Sequence, residues 1–158
     1  MTMSKSTQNI AVDSRSVVTG EDSDARFIHV VAAIIWHPVR SNILLISQRQ
    51  KGQHLQHHWE LPGGKMDIGE TREQALKREL LEELNILVVD AKPFMQVEHC
   101  YADRNILLDV WQVNSFTGEA EGCEGQNVRW TGIAELDDFL FPDADRPILQ
   151  AIKNSAKA

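Results

Sequence analysis

Three glutamates in the middle of the chain are spaced so that they share one face of a helix. Glu79, Glu82 and Glu83 lie three and one positions apart, and helical side chains three or four positions apart are neighbours. Carboxylates held that close repel one another unless a cation lies among them, and Mg²⁺ accepts oxygen ligands while keeping positions for water and substrate phosphates. The spacing therefore predicts a metal site for phosphate chemistry, with Mg²⁺ as the metal and Mn²⁺ as an alternative.

The residues around these glutamates favour a metal site over a plain acidic surface, which is the more common meaning of a run of charges. Gly63 and Gly64 follow a proline and supply a backbone turn that can lie close to a ligand. Arg78 lies inside the acidic stretch and can pair with Glu82 one helical turn later.

The same stretch resembles the signature of the Nudix hydrolases, in which Gly, Glu, an Arg-Glu pair and a Glu-Glu pair recur at fixed intervals. The matching positions are Gly64, Glu70, Arg78, Glu79, Leu80, Glu82, Glu83 and Ile86. The family's late Gly is Asn85 here, and Asn is the next-best residue for a left-handed helix end. The resemblance covers residues 28–152 and implies an α/β/α sandwich with a mixed β-sheet.

The flanking residues 59–65 and 123–126 resemble the MutT-like branch, whose members cleave nucleoside triphosphates to the monophosphate and pyrophosphate. A Glu on the late loop of that branch completes the metal site or acts as the base, and Glu124 matches it. The resemblance leaves the choice of base open between Glu79 and Glu124. The implied metal ligands are the Gly64 carbonyl, Glu79, Glu82, Glu83 and Glu124. The implied catalytic residues are Glu79, Glu124 and Arg78, with Arg78 orienting a carboxylate, and Glu70 and Lys65 support them.

Candidate substrate-binding residues lie outside the signature. Arg49 matches an arginine near the nucleotide phosphate, a role that suits guanidinium, although a surface Arg is the alternative. Residues 101–104 resemble the segment that lines the base pocket, with Ala102 in place of a proline. The implied binding residues, each with a plain surface or core role as its alternative, are Arg49, His54, Tyr101, Asp103 and Arg104.

Asp145 is the departure that bears most on the choice of base. The prototype that removes oxidised dGTP carries Asn at the matching place, whereas relatives that act on cytosine nucleotides resemble this chain. Asn both donates and accepts hydrogen bonds, but an ionised Asp only accepts. The resemblance therefore implies oxidised dGTP or a cytosine or other modified nucleotide as the substrate. The alternative is that Asp145 caps the helix that begins next to Arg146 and Pro147.

Composition limits the class of protein. A chain of 158 residues suits one folded domain, and a net charge of -7 argues against a nucleic-acid polymer or a membrane as partner. Cys100 and Cys123 have no metal-like spacing, so free thiols and a cytoplasmic location are expected. We expect a small nucleotide as substrate and a monomer or homodimer.

The elements that must position these residues follow from hydrophobic patterning. Residues 1–26 are polar and predict a flexible tail, and residues 27–158 predict the folded domain. Thr71 and Gln74 form a capping-box pattern, and Leu76, Leu80 and Leu84 form a buried stripe. Residues 29–36 and 43–47 are predicted to form a hairpin, followed by a loop at 50–58. Further extended segments are predicted at 87–89, 94–99, 105–113 and 128–131, and helices at 134–139 and 146–153.

Other interpretations of the signature stay open. The enzyme could act on another nucleoside diphosphate-linked compound, such as a dinucleotide or a nucleotide sugar. A non-catalytic nucleotide-binding module would keep the fold without the chemistry, but all the signature carboxylates are present. Metal-dependent turnover separates the enzymes from such a module.

Overall fold

A computed structural model of the protein describes residues 27–156. The predicted tail at 1–26 lies outside the described residues. No helix in the described range is long and apolar enough to cross a membrane. The strands are β1 (Ile28–Ile35), β2 (Ile43–Gln48), β3 (Trp59–Glu60), β4 (Gly63–Lys65), β5 (Leu87–Tyr101), β6 (Arg104–Thr117) and β7 (Val128–Gly132). The helices are α1 (Arg72–Leu84), α2 (Arg146–Ser155) and two 3₁₀ helices at Ile133–Asp138 and Asp143–Asp145.

The larger sheet is mixed and has a helix on each face. Its strand order is β4-β1-β6-β5, and β1 runs parallel to β6 but antiparallel to β4. Val31 of β1 packs in the same apolar cluster as Leu76 of α1, whereas Ile34 packs in the cluster that contains Ile148 of α2. Because alternate residues of a strand point to opposite faces, α1 and α2 cover opposite faces of this sheet. The predicted α/β/α arrangement is confirmed.

The predicted hairpin between the first two strands is wrong. β2 lies in a second sheet of order β3-β2-β7, and only an isolated bridge between Trp36 and Leu44 joins it to the first strand region. Both edges of β1 are already paired, because Ala32 faces Gly63 of β4 on one side and Val110 of β6 on the other. No edge of β1 is left for β2.

Three other elements differ from the prediction. β5 is one strand rather than two, and register shifts against β6 near Asp90 and Pro93 absorb the predicted interruption. The strand predicted at 105–113 extends over Arg104–Thr117. The helix predicted at 134–139 is a 3₁₀ helix at Ile133–Asp138. The lengths of these elements depend on pairing and packing with residues that are distant in sequence.

Candidate active site

Helix α1 carries the acidic face, and its start is fixed by the predicted capping box. The Gln74 backbone N–H donates to Thr71 Oγ1 at 3.1 Å, and the Thr71 backbone N–H donates to Gln74 Oε1 at 2.9 Å. Leu76, Leu80 and Leu84 are fully buried against the sheet. The buried stripe therefore fixes the rotation of the helix and leaves the glutamates on its other side.

The end of α1 is fixed by Asn85, which stands where the signature has Gly. Asn85 has φ 59° and ψ 40°, which is the left-handed conformation, and its backbone N–H donates to the carbonyls of Leu80 and Leu81. The expectation that Asn replaces Gly in this role is confirmed. The loop after β6 returns to this end of the helix, where the Glu121 backbone N–H donates to the Leu84 carbonyl at 3.1 Å.

Arg78 joins the carboxylates of the signature to the backbone of β4. Its guanidinium donates to both oxygens of Glu70, at 2.6 and 2.9 Å, and to Glu79 at 2.9 Å and Glu82 at 3.2 Å. A further bond reaches the Lys65 carbonyl at 3.0 Å. The guanidinium of Arg78 lowers the pKa of Glu70 to about 2. Arg78 therefore positions Glu79 and Glu82 relative to the strand.

Gly64 of β4 allows the strand to touch the helix. A β-carbon at Gly64 would lie 2.4 Å from the carboxyl carbon of Glu79. The Gly63 backbone N–H points at Glu83 Oε1, 3.4 Å away. A side chain at residue 64 would therefore displace the Glu79 carboxylate, which explains the glycine of the signature.

Glu83 is the electrostatic centre of the site. Burial, together with the negative charges of Glu79, Glu60 and Glu124, raises its pKa to about 9. Burial also raises the pKa of Glu79. Oxygen ligands that repel one another in this way suit a hard divalent cation.

The carboxylates of Glu79, Glu82 and Glu83 lie on one helix but do not converge on a common point. Within residues 27–156, no three His, Cys, Asp or Glu side chains already form a metal-ligand set. Glu79 and Glu82 are bonded to Arg78 instead. The type and number of donors nevertheless fit a divalent metal.

The loop that carries Glu124 is fastened to the same helix. The Cys123 backbone N–H and the Gln126 side-chain amide both donate to the Glu83 carbonyl, at 2.9 and 3.1 Å. Gln126 Oε1 also accepts from the Glu124 backbone N–H at 2.9 Å. Glu124 is exposed, and its charge acts on Glu83. The loop residues 123–126 therefore lie against the end of α1, although they are distant from it in sequence.

A cavity of about 70 Å³ beside this site contains four of the predicted substrate residues. Arg49, His54, Tyr101 and Asp145 line it together with Glu60. Arg49 forms an ion pair with Glu60 at 2.9 Å and donates to the His54 carbonyl at 2.9 Å. The His54 and Tyr101 rings meet edge to face, with centroids 5.4 Å apart. The apolar part of the wall comes from Val30, Ala32, Leu55, Ile106, Leu108, Pro142 and Ala144.

Asp145 is buried in this cavity wall, with 6 % of its surface exposed. Burial and the nearby Glu60 charge raise its pKa to about 7, although Arg49 opposes the shift. The side chain makes no capping bond to α2. Asp145 therefore occupies the N-cap position of α2 without a side-chain capping bond, and its carboxyl group is available to a ligand in the cavity.

Asp103 and Arg104 do not join the cavity wall. They lie at the turn between β5 and β6 and pair with one another at 3.0 Å. Glu60, by contrast, lies between the cavity and the carboxylates of α1 but had no role in the sequence prediction. A Glu in the third strand carries no spacing signal, and its partial burial and its contact with Arg49 are what distinguish it.

The fold and the acidic face of α1 are those of a known protein family. Residues 31–151 match the model of the NUDIX domain family. Because this match covers most of the 158 residues, the chain belongs to the NUDIX domain family. Nudix hydrolases generally use a divalent metal.

Two curated relatives carry the names of nucleotide hydrolases. The 8-oxo-dGTP diphosphatase of Escherichia coli is 37% identical over 113 residues, which is 72% of this chain and 88% of the relative. The CTP pyrophosphohydrolase of Escherichia coli is 34% identical over 126 residues, which is 80% of this chain and 91% of the relative. A structure from a study of MutT of Aliivibrio salmonicida and Vibrio cholerae is 35% identical, with a TM-score of 0.70. The match covers 82% of this chain and 99% of that one.

Proposed function

We propose that this protein hydrolyses a nucleoside triphosphate to the monophosphate and pyrophosphate in a metal-dependent reaction, as a sanitiser of the nucleotide pool. The observation that carries the proposal is the position of Glu83 among other carboxyl groups, next to the cavity lined by Arg49 and Asp145. The names of the curated relatives support the same class of reaction.

Mg²⁺ is the proposed metal, with Mn²⁺ as an alternative. Its proposed ligands are Glu79, Glu82, Glu83, Glu124 and the Gly64 carbonyl. A bound divalent metal would neutralise charge on the phosphates and lower the pKa of water.

The proposed general base and the residues that position it come from the same group of side chains. A water that attacks phosphorus needs a carboxylate to orient and deprotonate it, and Glu79 and Glu124 are the two candidates. Arg78 is proposed to position Glu79, while Glu70 and the Lys65 carbonyl hold Arg78 in turn. A comparison of Glu79→Gln with Glu124→Gln at several pH values distinguishes the two, because only loss of the base removes the acidic limb of the rate profile.

The cavity is proposed to hold the base end of the nucleotide. Tyr101 supplies an aromatic face, Asp145 a hydrogen-bonding carboxyl group and Arg49 a guanidinium at the phosphate side. His54 completes the wall. Asp103 and Arg104, which pair with one another outside it, are proposed to contact the nucleotide from the turn between β5 and β6. Oxidised dGTP and a cytosine nucleotide are the proposed substrates, because Asp145 can serve either base, depending on its protonation.

The proposed partner is the small nucleotide alone. The net charge of -7 disfavours a nucleic-acid polymer. Free thiols at Cys100 and Cys123 agree with a proposed cytoplasmic location. A monomeric or homodimeric state remains a prediction.

The test is product analysis across a panel of normal, oxidised and methylated nucleoside triphosphates, with and without Mg²⁺. We expect Mg²⁺-dependent release of pyrophosphate and a marked preference within the panel. Glu83→Gln should lose most of this turnover, whereas Glu73→Gln should retain it, because Glu73 lies at the exposed start of the same helix and pairs with Lys77. Release of no pyrophosphate from any triphosphate would contradict the proposal and direct the search to dinucleotides and nucleotide sugars.

A further inference from the structure

An ion pair between α1 and the sheet lies outside the candidate active site. Arg72, the first residue of α1, has Nη1 3.1 Å from Oδ2 of Asp109 on β6. Asp109 is 4 % exposed. The guanidinium carbon of Arg72 also lies 5.8 Å from the centroid of the Trp111 ring, within reach of a cation–π interaction. Arg72 is therefore held in place by two contacts, one with the buried Asp109 carboxylate and one with the face of the Trp111 ring.

Neither residue of this pair has a favourable electrostatic environment apart from the other. The N-terminus of a helix carries a partial positive charge, so a cation in the first turn is unfavourable for the helix itself. A buried carboxylate loses its hydration and becomes costly once its partner is removed. A contact built from two such residues is poor evidence for added stability.

Asp109 and Gly64 lie in one row across the larger sheet. Val31 of β1 is paired with Asp109 on one side and with Gly64 on the other. Residues in one row point to the same face, which here is the face that α1 covers. Helix α1 therefore contacts both ends of this row. Arg72 pairs with Asp109 at one end, and at the other Glu79 lies against Gly64 beside the bond from Arg78 to the Lys65 carbonyl.

The two attachment points are separated by matching distances on the helix and on the sheet. The step from Arg72 to Glu79 rises about 10 Å along a helix, and two strand spacings also measure about 10 Å. Two separate attachments fix both the position and the direction of a helix, whereas one attachment would let it pivot. At the Gly64 end there is no slack, because even a β-carbon would contact the Glu79 carboxylate.

We propose that Arg72 and Asp109 are positioning residues whose ion pair holds α1 in the register that the metal site requires. The inference rests on the proposed function, since it assigns the ion pair to the metal site of that reaction. Loss of the pair lets the start of α1 move, and Glu79 and Glu83 then shift relative to the Gly64 carbonyl. The consequence is weaker binding of the divalent ion, even in the absence of nucleotide.

The test is Mn²⁺ binding to the full chain, measured from the electron paramagnetic resonance signal of free Mn²⁺ without nucleotide. We expect the Kd to rise about tenfold in Asp109→Asn and in Arg72→Gln, the lower end of the effect of losing an outer-shell partner of a metal site. Arg72→Lys should recover part of the affinity, because it keeps the charge but not the planar contact with Trp111. The matched control is Lys77→Gln, which removes an exposed ion pair from the same helix and should leave the Kd unchanged.

Folding is checked by thermal denaturation of each variant. Arg72→Gln leaves Asp109 buried without its partner and can unfold for that reason alone. Asp109→Asn leaves no buried charge, so it decides the question if Arg72→Gln does not fold. A folded Asp109→Asn protein that binds Mn²⁺ as tightly as the wild type overturns the inference alone. A wild-type protein that neither binds Mn²⁺ nor hydrolyses any nucleotide overturns the proposed function and this inference with it.

Discussion

Gly64 lies directly against the carboxylate of Glu79, so that a β-carbon at residue 64 would stand 2.4 Å from the Glu79 carboxyl carbon. The contact joins β4 to the acidic face of α1. The glycine is therefore required by the space between strand and helix.

Gly64→Ala should reduce turnover by about a hundredfold, the usual cost of moving a catalytic group by about 1 Å. The fold should persist, because the displaced atoms are the end of a flexible side chain. The control is Gly132→Ala, whose β-carbon would have its nearest neighbour at 3.7 Å. Equal turnover of the two variants, assayed with Mg²⁺ and the preferred nucleotide, would contradict this role of Gly64.

Glu83→Gln should raise the thermal stability of the metal-free protein while abolishing its stabilisation by Mg²⁺. Burial and three nearby carboxyl groups raise the pKa of Glu83 to about 9, and each pKa unit corresponds to about 1.4 kcal/mol. A neutral amide removes this penalty but is a poorer ligand for the ion. The measurement is Tm with and without Mg²⁺, beside Glu73→Gln. A variant with a lower metal-free Tm and an unchanged Mg²⁺ response would refute the electrostatic account of Glu83.

The preference among bases should change with pH because the pKa of Asp145 is raised to about 7. Below that pH the protonated carboxyl group can donate to a base oxygen, and above it the carboxylate only accepts, for example from the amino group of cytosine. The groups that face Asp145 are Glu60, which raises its pKa, and Arg49, which lowers it. The ratio of kcat/KM for oxidised dGTP to that for CTP should fall between pH 6 and 8. Asp145→Asn should make the ratio independent of pH, and an identical pH profile in the two proteins would disprove the assignment.

The same group affects stability with a defined sign. A carboxyl group whose pKa is higher in the folded state stabilises the fold when protonated. Its stabilising effect is complete below the ordinary value of 3.8 and is lost as the pH rises through about 7. The difference in the free energy of unfolding between Asp145→Asn and the wild type should therefore increase from pH 4 to pH 8. Urea titrations at several pH values measure it, and a constant difference would contradict the raised pKa.

Gln126 should influence turnover without touching the phosphates. Its side chain donates to the Glu83 carbonyl at 3.1 Å and accepts from the Glu124 backbone N–H at 2.9 Å. Gln126→Ala should lower kcat about tenfold, because Glu124 loses its fixed position, while stability falls by about 1 kcal/mol, the usual value of one or two hydrogen bonds. The neighbouring Asn127→Ala breaks a bond to Gln48 instead and serves as the control. Equal kcat values for the two variants would show that Gln126 has no influence on turnover.

The signature helix could be predicted in detail because its determinants are local. Thr71 and Gln74 cap it, Leu76, Leu80 and Leu84 bury one face, and Asn85 ends it, all within one stretch of sequence. Contacts at a spacing of one turn, such as Arg78 with Glu82, follow from helix geometry alone.

Features that depend on long-range packing could not be predicted in the same way. The hairpin prediction failed because β4, a strand of three residues, occupies the edge of β1 that β2 would need. The place of Asp145 could not be settled because an Asp before Arg-Pro suits both a helix cap and a buried cavity wall. The pairing of Glu60 with Arg49 has no local signal at all.

The proposed function requires the carboxylates around Glu83 to hold a divalent metal beside Gly64 of β4. The most direct measurement is a crystal of the full chain soaked in Mn²⁺, with the ion located from its anomalous scattering. We expect a peak between Glu79 and Glu83, at about 2.1 Å from carboxylate oxygens, as for a small, hard divalent ion, and no peak there in Glu83→Gln crystals. A peak elsewhere, or an undiminished peak in the variant, would contradict the proposed function.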